Sequence, residues 1–310
     1  MKRNIFLFST LIIMISFISF VRTDTATGIS SDTPKVKDLY SYYYSTKSIS
    51  ILEGLDSDSA LLSDVEHDDV RKIINDGIYE VWLYVNSVDI RNIDSTDKLQ
   101  ILNYINSLHS NKGFFKANLK DSSDRPNSSY LLDTKMALEI YDRFERDIPN
   151  TKKILNYIES TLNQINSPQT YDFVSLGGYL TIINQIETIL ARYINLNQDE
   201  LYSNSMIGRL KKLYLEEPSS IEKFETAVNI NNYTNTLILP IDTKEVETYI
   251  KRIQNKNGMF PISGSKTGFD TLSTFLVIKT LTTLGIEIPN KEKLLSSLKQ
   301  IQSSTTHQYQ

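Results

Sequence analysis

Apolar residues recur at three- and four-residue spacing along most of the chain, from Pro34 to Gln302. This is the spacing of one face of an α-helix, and no stretch shows the strict alternation that is typical of a half-buried strand. The pattern therefore predicts an all-α protein with short connections. The predicted helices span about residues 36–52, 64–88, 96–109, 129–146, 150–165, 171–195, 198–215, 221–229, 243–255, 269–285 and 290–302, and 229–240 is predicted to be irregular.

Several of the predicted helix starts carry capping signals. The segment from Ser219 to Glu222 has the form of a capping box, in which the Ser accepts from a free backbone N–H and the Glu reaches back. The segment from Ser63 to Glu66 has the same form. Asp242 precedes Glu245 in the same way, with Asp as the N-cap.

Two stretches of the chain resemble one another. Tyr104–Phe115 (YINSLHSNKGFF) matches Tyr249–Phe260 (YIKRIQNKNGMF), and each is followed by an Asp-Thr pair, a predicted helix and an Ile-Pro-Asn turn. A repeated helix–loop–helix unit predicts an array of helical hairpins. Gly113 and Gly258 are predicted to end the first helix of each unit in the left-handed conformation. The segment 171–215 keeps the helical spacing without this signature and is interpreted as a degenerate copy.

A helix followed by Gly-(Phe/Met)-Phe, a variable loop and an Asp-Thr helix start resembles the repeat of the terpene cyclase and protein prenyltransferase superfamily. The match covers about residues 98–165 and 244–302. The resemblance implies an α/α toroid, with inner and outer rings of helices around a central cavity.

The catalytic motifs of that superfamily are missing from this chain. Its protein prenyltransferases hold zinc with Asp, Cys and His, and the chain has no cysteine. Its proton-initiated cyclases use Asp-x-Asp-Asp-Thr, of which only the final pairs Asp133-Thr134 and Asp270-Thr271 are present. The Gln-Trp signature is absent, because Trp82 is the single tryptophan. We therefore expect the toroid without the family's chemistry.

Asp133 and Asp270 are the candidate catalytic residues. By the resemblance they face a shared cavity, where two carboxylates act as acid and base and burial raises one pKa. The alternative is that each caps a helix N-terminus, which an Asp-Thr pair at a helix start favours. Tyr130, Phe269 and Trp82 are the candidate ligand-binding residues, as aromatic side chains that line a cavity.

No metal and no cofactor are predicted. Asp64, Glu66, His67, Asp68 and Asp69 form the densest group of possible metal ligands. Acidic residues in a first helical turn are also what the helix dipole favours, so we interpret this group as structural.

The N-terminus has the layout of a secretory signal. Lys2 and Arg3 precede an apolar run over residues 5–21 and then a polar stretch. We expect a signal peptide over 1–26, a linker over 27–35, the toroid over 36–302 and a disordered tail over 303–310, hence a secreted or extracytoplasmic protein. The alternative is a single membrane anchor, since the apolar run is near the ~20 residues that span a bilayer.

Charge and composition narrow the partners. The net charge of −4 and scattered Lys and Arg exclude a nucleic-acid footprint. The leading hypothesis is a non-catalytic binding or scaffold domain with an apolar or glycan ligand in its central cavity. The alternative is a secreted hydrolase, lyase or cyclase acting on a carbohydrate or isoprenoid. A third hypothesis is that a partner protein docks on the outer helices.

Overall fold

The computed structural model describes residues 37–55, 67–122, 125–167, 171–194, 203–234, 236–261 and 269–306. These residues contain twelve α-helices, one 3-10 helix at Asn127–Tyr130 and no β-strand, which confirms the all-α prediction. The predicted signal peptide, the predicted linker and the predicted capping box at 63–66 lie outside the described residues. The helices are α1 (Lys37–Glu53), α2 (His67–Asp76), α3 (Ile78–Ser87), α4 (Ser95–Leu108), α5 (Leu131–Arg143), α6 (Thr151–Asn166), α7 (Phe173–Leu190), α8 (Asn204–Glu216), α9 (Ile221–Tyr233), α10 (Thr243–Ile253), α11 (Thr271–Thr283) and α12 (Lys291–Thr306).

The helices alternate along the chain between two kinds of burial. Apart from their last turns, the odd-numbered helices have no exposed residue among those described, whereas the even-numbered helices from α4 onward each expose one face. An exposed polar face opposite an apolar one is typical of a helix that covers a core from outside. The odd-numbered helices are therefore the buried layer of the fold.

Each odd-numbered helix packs against the next odd-numbered helix along the chain. Helix α1 packs on α3, α3 on α5, α5 on α7, α7 on α9 and α9 on α11, and α11 packs on α1. This succession of contacts returns to the helix at which it begins. The even-numbered helices add further contacts: α2 to α3, α6 and α8 to α7, and α12 to α1.

Two clusters of buried apolar side chains form the core, and α1 belongs to both. Leu39 and Tyr42 of α1 lie in the larger cluster, together with residues of α2 to α9. Ile49 and Leu52 of the same helix lie in the second cluster, with residues of α9 to α12. Each such side chain stabilises the fold by about 1.5–3 kcal/mol. Helix α1 therefore joins the first and last parts of the described chain.

Gly113 and Gly258 have positive φ values of 94° and 84°, as the repeat predicted, but they do not end helices. Helices α4 and α10 end earlier, at Leu108 and Ile253, and the residue after each is extended. Each glycine instead lies against the first turn of the next even-numbered helix. A Cβ on Gly113 would lie 2.0 Å from the carbonyl oxygen of Lys153, and one on Gly258 2.7 Å from a backbone nitrogen of α12.

Other boundaries differ from the sequence pattern for local reasons. The predicted helix 64–88 is broken at Gly77, whose φ of 140° separates α2 from α3. Ser220 rather than Ser219 caps α9, accepting from the N–H of Lys223 at 3.0 Å. Asp242 caps α10, as predicted, and accepts from two backbone N–H groups.

Two helices run further than the pattern indicated. Helix α9 continues to Tyr233, four residues beyond its predicted end at 229, and α12 reaches Thr306 in the predicted tail. Among the described helices, α7 is the one that is long and apolar enough to cross a membrane. Half of its residues are buried between its neighbours, a burial that core helices also show.

Candidate functional site

Asp133 and Asp270 occupy different positions in the two repeat copies. Asp270 is the residue before α11, and the residue before α5 is Tyr130. Thr134 and Thr274 mark the same register, because each hydroxyl accepts the backbone N–H of the phenylalanine after the glycine turn at 3.1 Å. Asp133 therefore corresponds to Ser273, not to Asp270.

Asp270 is a helix cap, one of the two roles that the sequence left open. One carboxylate oxygen accepts from the N–H of Ser273 at 2.7 Å. The other accepts from the hydroxyl of Tyr40 at 2.9 Å, which links α11 to α1. Both oxygens of this carboxylate are thus engaged in structural hydrogen bonds.

Asp133 is not a helix cap, and the cap interpretation was wrong for this residue. It is the third residue of α5, the cap position is occupied by Tyr130, and the start of this helix has no side-chain capping hydrogen bond. The carboxyl is only 2 % exposed, and its Oδ1 has no hydrogen-bond partner. Burial raises the pKa of Asp133 to about 7, against a smaller opposing effect of Arg125.

The surroundings of Asp133 come from the segment between Phe115 and α5. Arg125 forms an ion pair with Asp121, and both act electrostatically on Asp133. The hydroxyl of Tyr157 on α6 donates to the carbonyl oxygen of Asn127 at 2.6 Å. Asp133 is thus buried near Arg125, Asp121 and Tyr157 of α6, whereas Asp270 lies beside α1.

Six aromatic side chains form a cluster at the start of three odd-numbered helices, and we call it the aromatic cluster. Tyr43 and Trp82 meet edge to face at 5.1 Å between ring centroids, and Tyr79 stacks on Trp82 at 6.1 Å. Edge-to-face and offset pairs of this kind are favourable beyond their buried area. The members are Tyr40, Tyr43 and Tyr44 of α1, Tyr79 and Trp82 of α3, and Phe275 of α11.

A carboxylate lies at each side of the aromatic cluster. Asp270 accepts from Tyr40, as described above, and Glu139 of α5 accepts from the indole N–H of Trp82 at 2.6 Å. Lys135 completes this corner, with its ammonium 2.9 Å from Glu139 and 5.6 Å from the Trp82 ring centroid. Burial and the charge of Glu139 raise the pKa of Tyr43, so the phenol remains a neutral hydrogen-bond donor.

The aromatic cluster continues into a row of half-buried side chains on the odd-numbered helices, which we call the inner row. On α1, α5, α7 and α11 its positions recur every three or four residues, so they share one face of each of these helices. Solvent reaches this face, since Lys279 is 36 % and Glu139 30 % exposed. The inner row comprises Tyr40, Tyr43, Lys47, Tyr79, Asn86, Leu132, Lys135, Glu139, Arg143, Val174, Gly178, Ile182, Gln185, Glu225, Leu272, Phe275 and Lys279.

Polar contacts join neighbouring helices along the inner row. The ammonium of Lys279 on α11 lies 3.2 Å from Glu225 and 3.1 Å from the amide oxygen of Asn229, both on α9. Gln185 of α7 donates to the hydroxyl of Tyr233 on α9 at 2.8 Å. The inner row is mostly polar in α5, whereas two of its three members in α1, Tyr40 and Tyr43, are aromatic.

Of the three predicted ligand-binding residues, the structure places Trp82 in the aromatic cluster. Tyr130 is fully buried and stacks on Phe114 at 4.0 Å, so it belongs to the core. Phe269 is 46 % exposed, next to the cap of α11. Sequence reasoning missed Lys135 and Glu139, because an oppositely charged pair four residues apart is equally typical of a solvated helix face.

Metal binding finds no support in the described part of the chain, where no three His, Asp or Glu side chains converge. Residues 64–66 of the acidic group lie outside the described part of the chain. For His67, Asp68 and Asp69 the structure describes only the helical backbone of α2. The histidine His109 follows the last residue of α4 and packs on Phe115 with 4.7 Å between ring centroids.

Comparison with models of protein families, with curated protein sequences and with solved structures gave no significant match.

Proposed function

We propose that the six odd-numbered helices form the inner ring of an α/α toroid and the even-numbered helices its outer ring. Three observations support this proposal. The contacts between odd-numbered helices return to α1, the two kinds of burial alternate along the chain, and a half-buried face recurs on α1, α5, α7 and α11. A ring of helices with a solvent-reached interior has these properties, because its inner helices bury every face except the one toward the centre.

Within this toroid, the inner row lines the centre, and the protein is a non-catalytic binding domain whose ligand there is a glycan. The observation that carries the proposal is the aromatic cluster flanked by Glu139 and Asp270 on a face that solvent reaches. Aromatic rings present flat apolar surface, and carboxylates accept hydrogen bonds from hydroxyl groups. Both are features of the sites that hold polar small molecules.

A glycan fits the inner row better than an isoprenoid does. Lys135, Glu139, Glu225 and Lys279 carry charges on this face. Covering them with hydrocarbon removes water without supplying new hydrogen bonds, which is costly. Sugar hydroxyls replace the lost water on the same groups.

The enzymatic alternative is favoured by one observation, the buried carboxyl of Asp133 with its pKa raised to about 7. Two carboxylates that act as acid and base have to flank one bond. Asp133 is buried near Arg125 and Asp121, and Asp270 is occupied by Ser273 and Tyr40. These surroundings favour binding over catalysis.

The proposal places the protein outside the cytoplasm. The basic and apolar N-terminus over residues 1–26 supports export, and 27–35 then joins it to the toroid. N-terminal sequencing of chain recovered from the culture medium tests this: a start near residue 27 supports cleavage, and recovery of Met1 in the membrane fraction supports the anchor.

A binding experiment with a matched tyrosine pair tests the glycan. Residues 36–310 are exposed to an oligosaccharide panel, and complexes are detected by native mass spectrometry. Tyr43→Ala removes a half-buried ring of the aromatic cluster, whereas Tyr171→Ala removes a half-buried ring next to α7. We expect Tyr43→Ala to weaken binding by about tenfold and Tyr171→Ala by less than about twofold. Equal effects, or no complex with any oligosaccharide, would contradict the proposal.

A further inference from the structure

The residues that follow α4 and α10 occupy equivalent places in the two repeat copies, but one is a histidine and the other a glutamine. His109 and Gln254 each come directly after the last residue of their helix, in an extended conformation. In both copies the next residue donates its backbone N–H to the carbonyl oxygen four residues further on, at 2.7 and 2.8 Å. His109 and Gln254 therefore stand at the same position beside a glycine turn.

Gln254 holds its turn with three side-chain hydrogen bonds. Its amide nitrogen donates to the carbonyl oxygens of Gly258 at 2.8 Å and Pro289 at 2.7 Å. Its amide oxygen accepts from the side chain of Asn290 at 2.7 Å. The side chain thus joins the glycine turn to the Ile-Pro-Asn turn that precedes α12.

The imidazole of His109 is bonded differently at this position. Its Nε2 is buried and has no hydrogen-bond partner among the described residues, and the ring packs on Phe115. A neutral imidazole carries a proton on one nitrogen, whereas the charged form carries a proton on both. Whichever tautomer is present at neutral pH, the charged ring therefore has a buried N–H at Nε2 that no described residue accepts. Such a group is costly, so the closed turn disfavours the charged form.

The charges around the turn add to this effect. Burial lowers the pKa of His109, and the charge of Lys153 on α6 lowers it further. Tyr141 of α5 packs on Phe115, and Tyr157 of α6 packs on Phe114. In the part of the chain that the structure describes, Lys153 is the charged group that acts on the ring. The other charged side chains of the turn, of the connection from α5 and of the start of α6 are Lys112, Lys116, Glu145, Arg146, Asp147 and Lys152.

We propose that the glycine turn after α4 is an acid-sensitive switch, which opens from α6 when His109 takes up a proton. The turn lies directly against α6, since a Cβ on Gly113 would be 2.0 Å from the carbonyl oxygen of Lys153. Opening lets water accept the N–H at Nε2 and solvate the charge. It also loosens Phe115, whose backbone N–H donates to Thr134 of α5. The proposal does not depend on which ligand the inner row binds.

The closed turn is favoured at high pH and disfavoured at low pH. Because the pKa of His109 in the closed turn is below its ordinary value of 6.5, the open turn takes up the proton first as the pH falls. The contribution of His109 is therefore full well above pH 6.5 and is lost as the pH falls through and below this value. Asp133 has the opposite effect, because its raised pKa makes it stabilise the fold as the pH falls. Opening in acid is thus the opposite of what Asp133 would cause.

Hydrogen exchange of the two glycine turns in one molecule tests the proposal. The backbone N–H groups of Gly113 and Gly258 make the same hydrogen bond, to Ser110 at 3.0 Å and to Asn255 at 2.9 Å. We correct each rate for the intrinsic effect of pH on exchange. Opening at Gly113 is expected to increase at least about fivefold from pH 7.5 to pH 5, and opening at Gly258 to change by less than about twofold. Equal pH dependence at the two turns would overturn the proposal.

Reciprocal variants assign the effect to the imidazole. His109→Gln removes the titrating ring, so opening at Gly113 should then change by less than about twofold over the same pH range. Gln254→His places an imidazole in the second turn, and acid opening at Gly258 should reach about fivefold. If the full increase at Gly113 persists in His109→Gln, another group is responsible and the proposal is refuted. The comparison within the wild type stands even if a variant fails to fold.

An NMR titration measures the protonation of His109 directly. The ring signal of His109 is the one that disappears in His109→Gln. Its pKa is expected to lie below the ordinary value of 6.5, since the closed turn disfavours the charged ring. A pKa at or above 6.5 would show that the folded protein accommodates the imidazolium, and the switch would be excluded.

Discussion

The hydroxyl of Tyr40 donates a hydrogen bond to Oδ1 of Asp270, with 2.9 Å between the two oxygens. These residues are 230 positions apart in the chain. Further along the same helices, Gln302 of α12 donates to Thr46 of α1 at 3.0 Å. The first described helix is thus attached to the last two by polar contacts as well as by the core.

Removing the hydrogen bond between Tyr40 and Asp270 is expected to lower the free energy of unfolding by less than removing the carboxylate of Asp270. Tyr40→Phe deletes one interhelix hydrogen bond and should lower the free energy of unfolding by about 1 kcal/mol. Asp270→Ala also deletes the cap of α11 and should cost about 2 kcal/mol. Urea unfolding measures both. Asp270→Asn retains a capping oxygen and should lie between them, and equal costs for Tyr40→Phe and Asp270→Ala would contradict the double role of Asp270.

The glycine turns should not tolerate a methyl group. Gly113→Ala and Gly258→Ala place a Cβ against the backbone of α6 and α12 at positive φ, so each should destabilise by more than about 2 kcal/mol. Gly208→Ala is the control, because a Cβ there meets nothing within 4 Å inside a helix. It should stabilise by about 0.5–1 kcal/mol. Thermal unfolding that ranks Gly113→Ala with Gly208→Ala would disprove the close approach.

Glu145 has a left-handed backbone conformation, and a glycine stands at the equivalent position of the second repeat copy. Helices α5 and α11 end with the same pair of hydrogen bonds, and the left-handed residues are Glu145, at φ 53°, and Gly285, at φ 66°. Glu145→Gly should therefore stabilise the protein by up to about 1 kcal/mol, and Gly285→Ala should destabilise it by about the same amount. Urea unfolding of the two variants checks the opposite signs, and a loss of stability in Glu145→Gly would show that its side chain contributes more than its backbone costs.

Asp133 should make stability depend on pH. Burial raises the pKa of Asp133 from its ordinary value of 3.8 to about 7. The unfolded chain loses this proton at a lower pH than the folded protein, so the contribution of Asp133 to stability is full below about pH 4 and falls until about pH 7. Asp133→Asn keeps the shape and removes the titration. Relative to that of the wild type, the free energy of unfolding of this variant should rise by at least about 1 kcal/mol from pH 5 to pH 8.

The matched control for Asp133 is an exposed aspartate. Asp242→Asn changes one charge at the start of α10 while an amide oxygen still caps the helix. Its stability should follow the wild type from pH 5 to pH 8 in the same urea titration. If Asp133→Asn follows it too, the buried carboxyl is not neutral in the folded protein.

The two repeat copies show which equivalent positions the sequence pattern identifies correctly and which it does not. The Ile-Pro-Asn turns at 148–150 and 288–290 are 140 positions apart, and so are Thr134 and Thr274, which make equivalent hydrogen bonds. Asp133 and Asp270 are 137 apart, which is nearly one helical turn out of register. Aligning the two Asp-Thr pairs by residue type alone therefore equated a buried carboxyl group with a helix cap.

Local interactions along the chain determine what the sequence established by itself. The spacing of apolar residues predicted helices and the all-α class, and Asp242 predicted a cap, because both depend on residues within a few positions of each other. Tertiary structure alone decided which helices are buried on nearly every side, and therefore that Lys135 and Glu139 lie beside Trp82. It also decided the state of Asp133, since burial by a loop and a neighbouring helix acts on its pKa and leaves no mark in the local sequence.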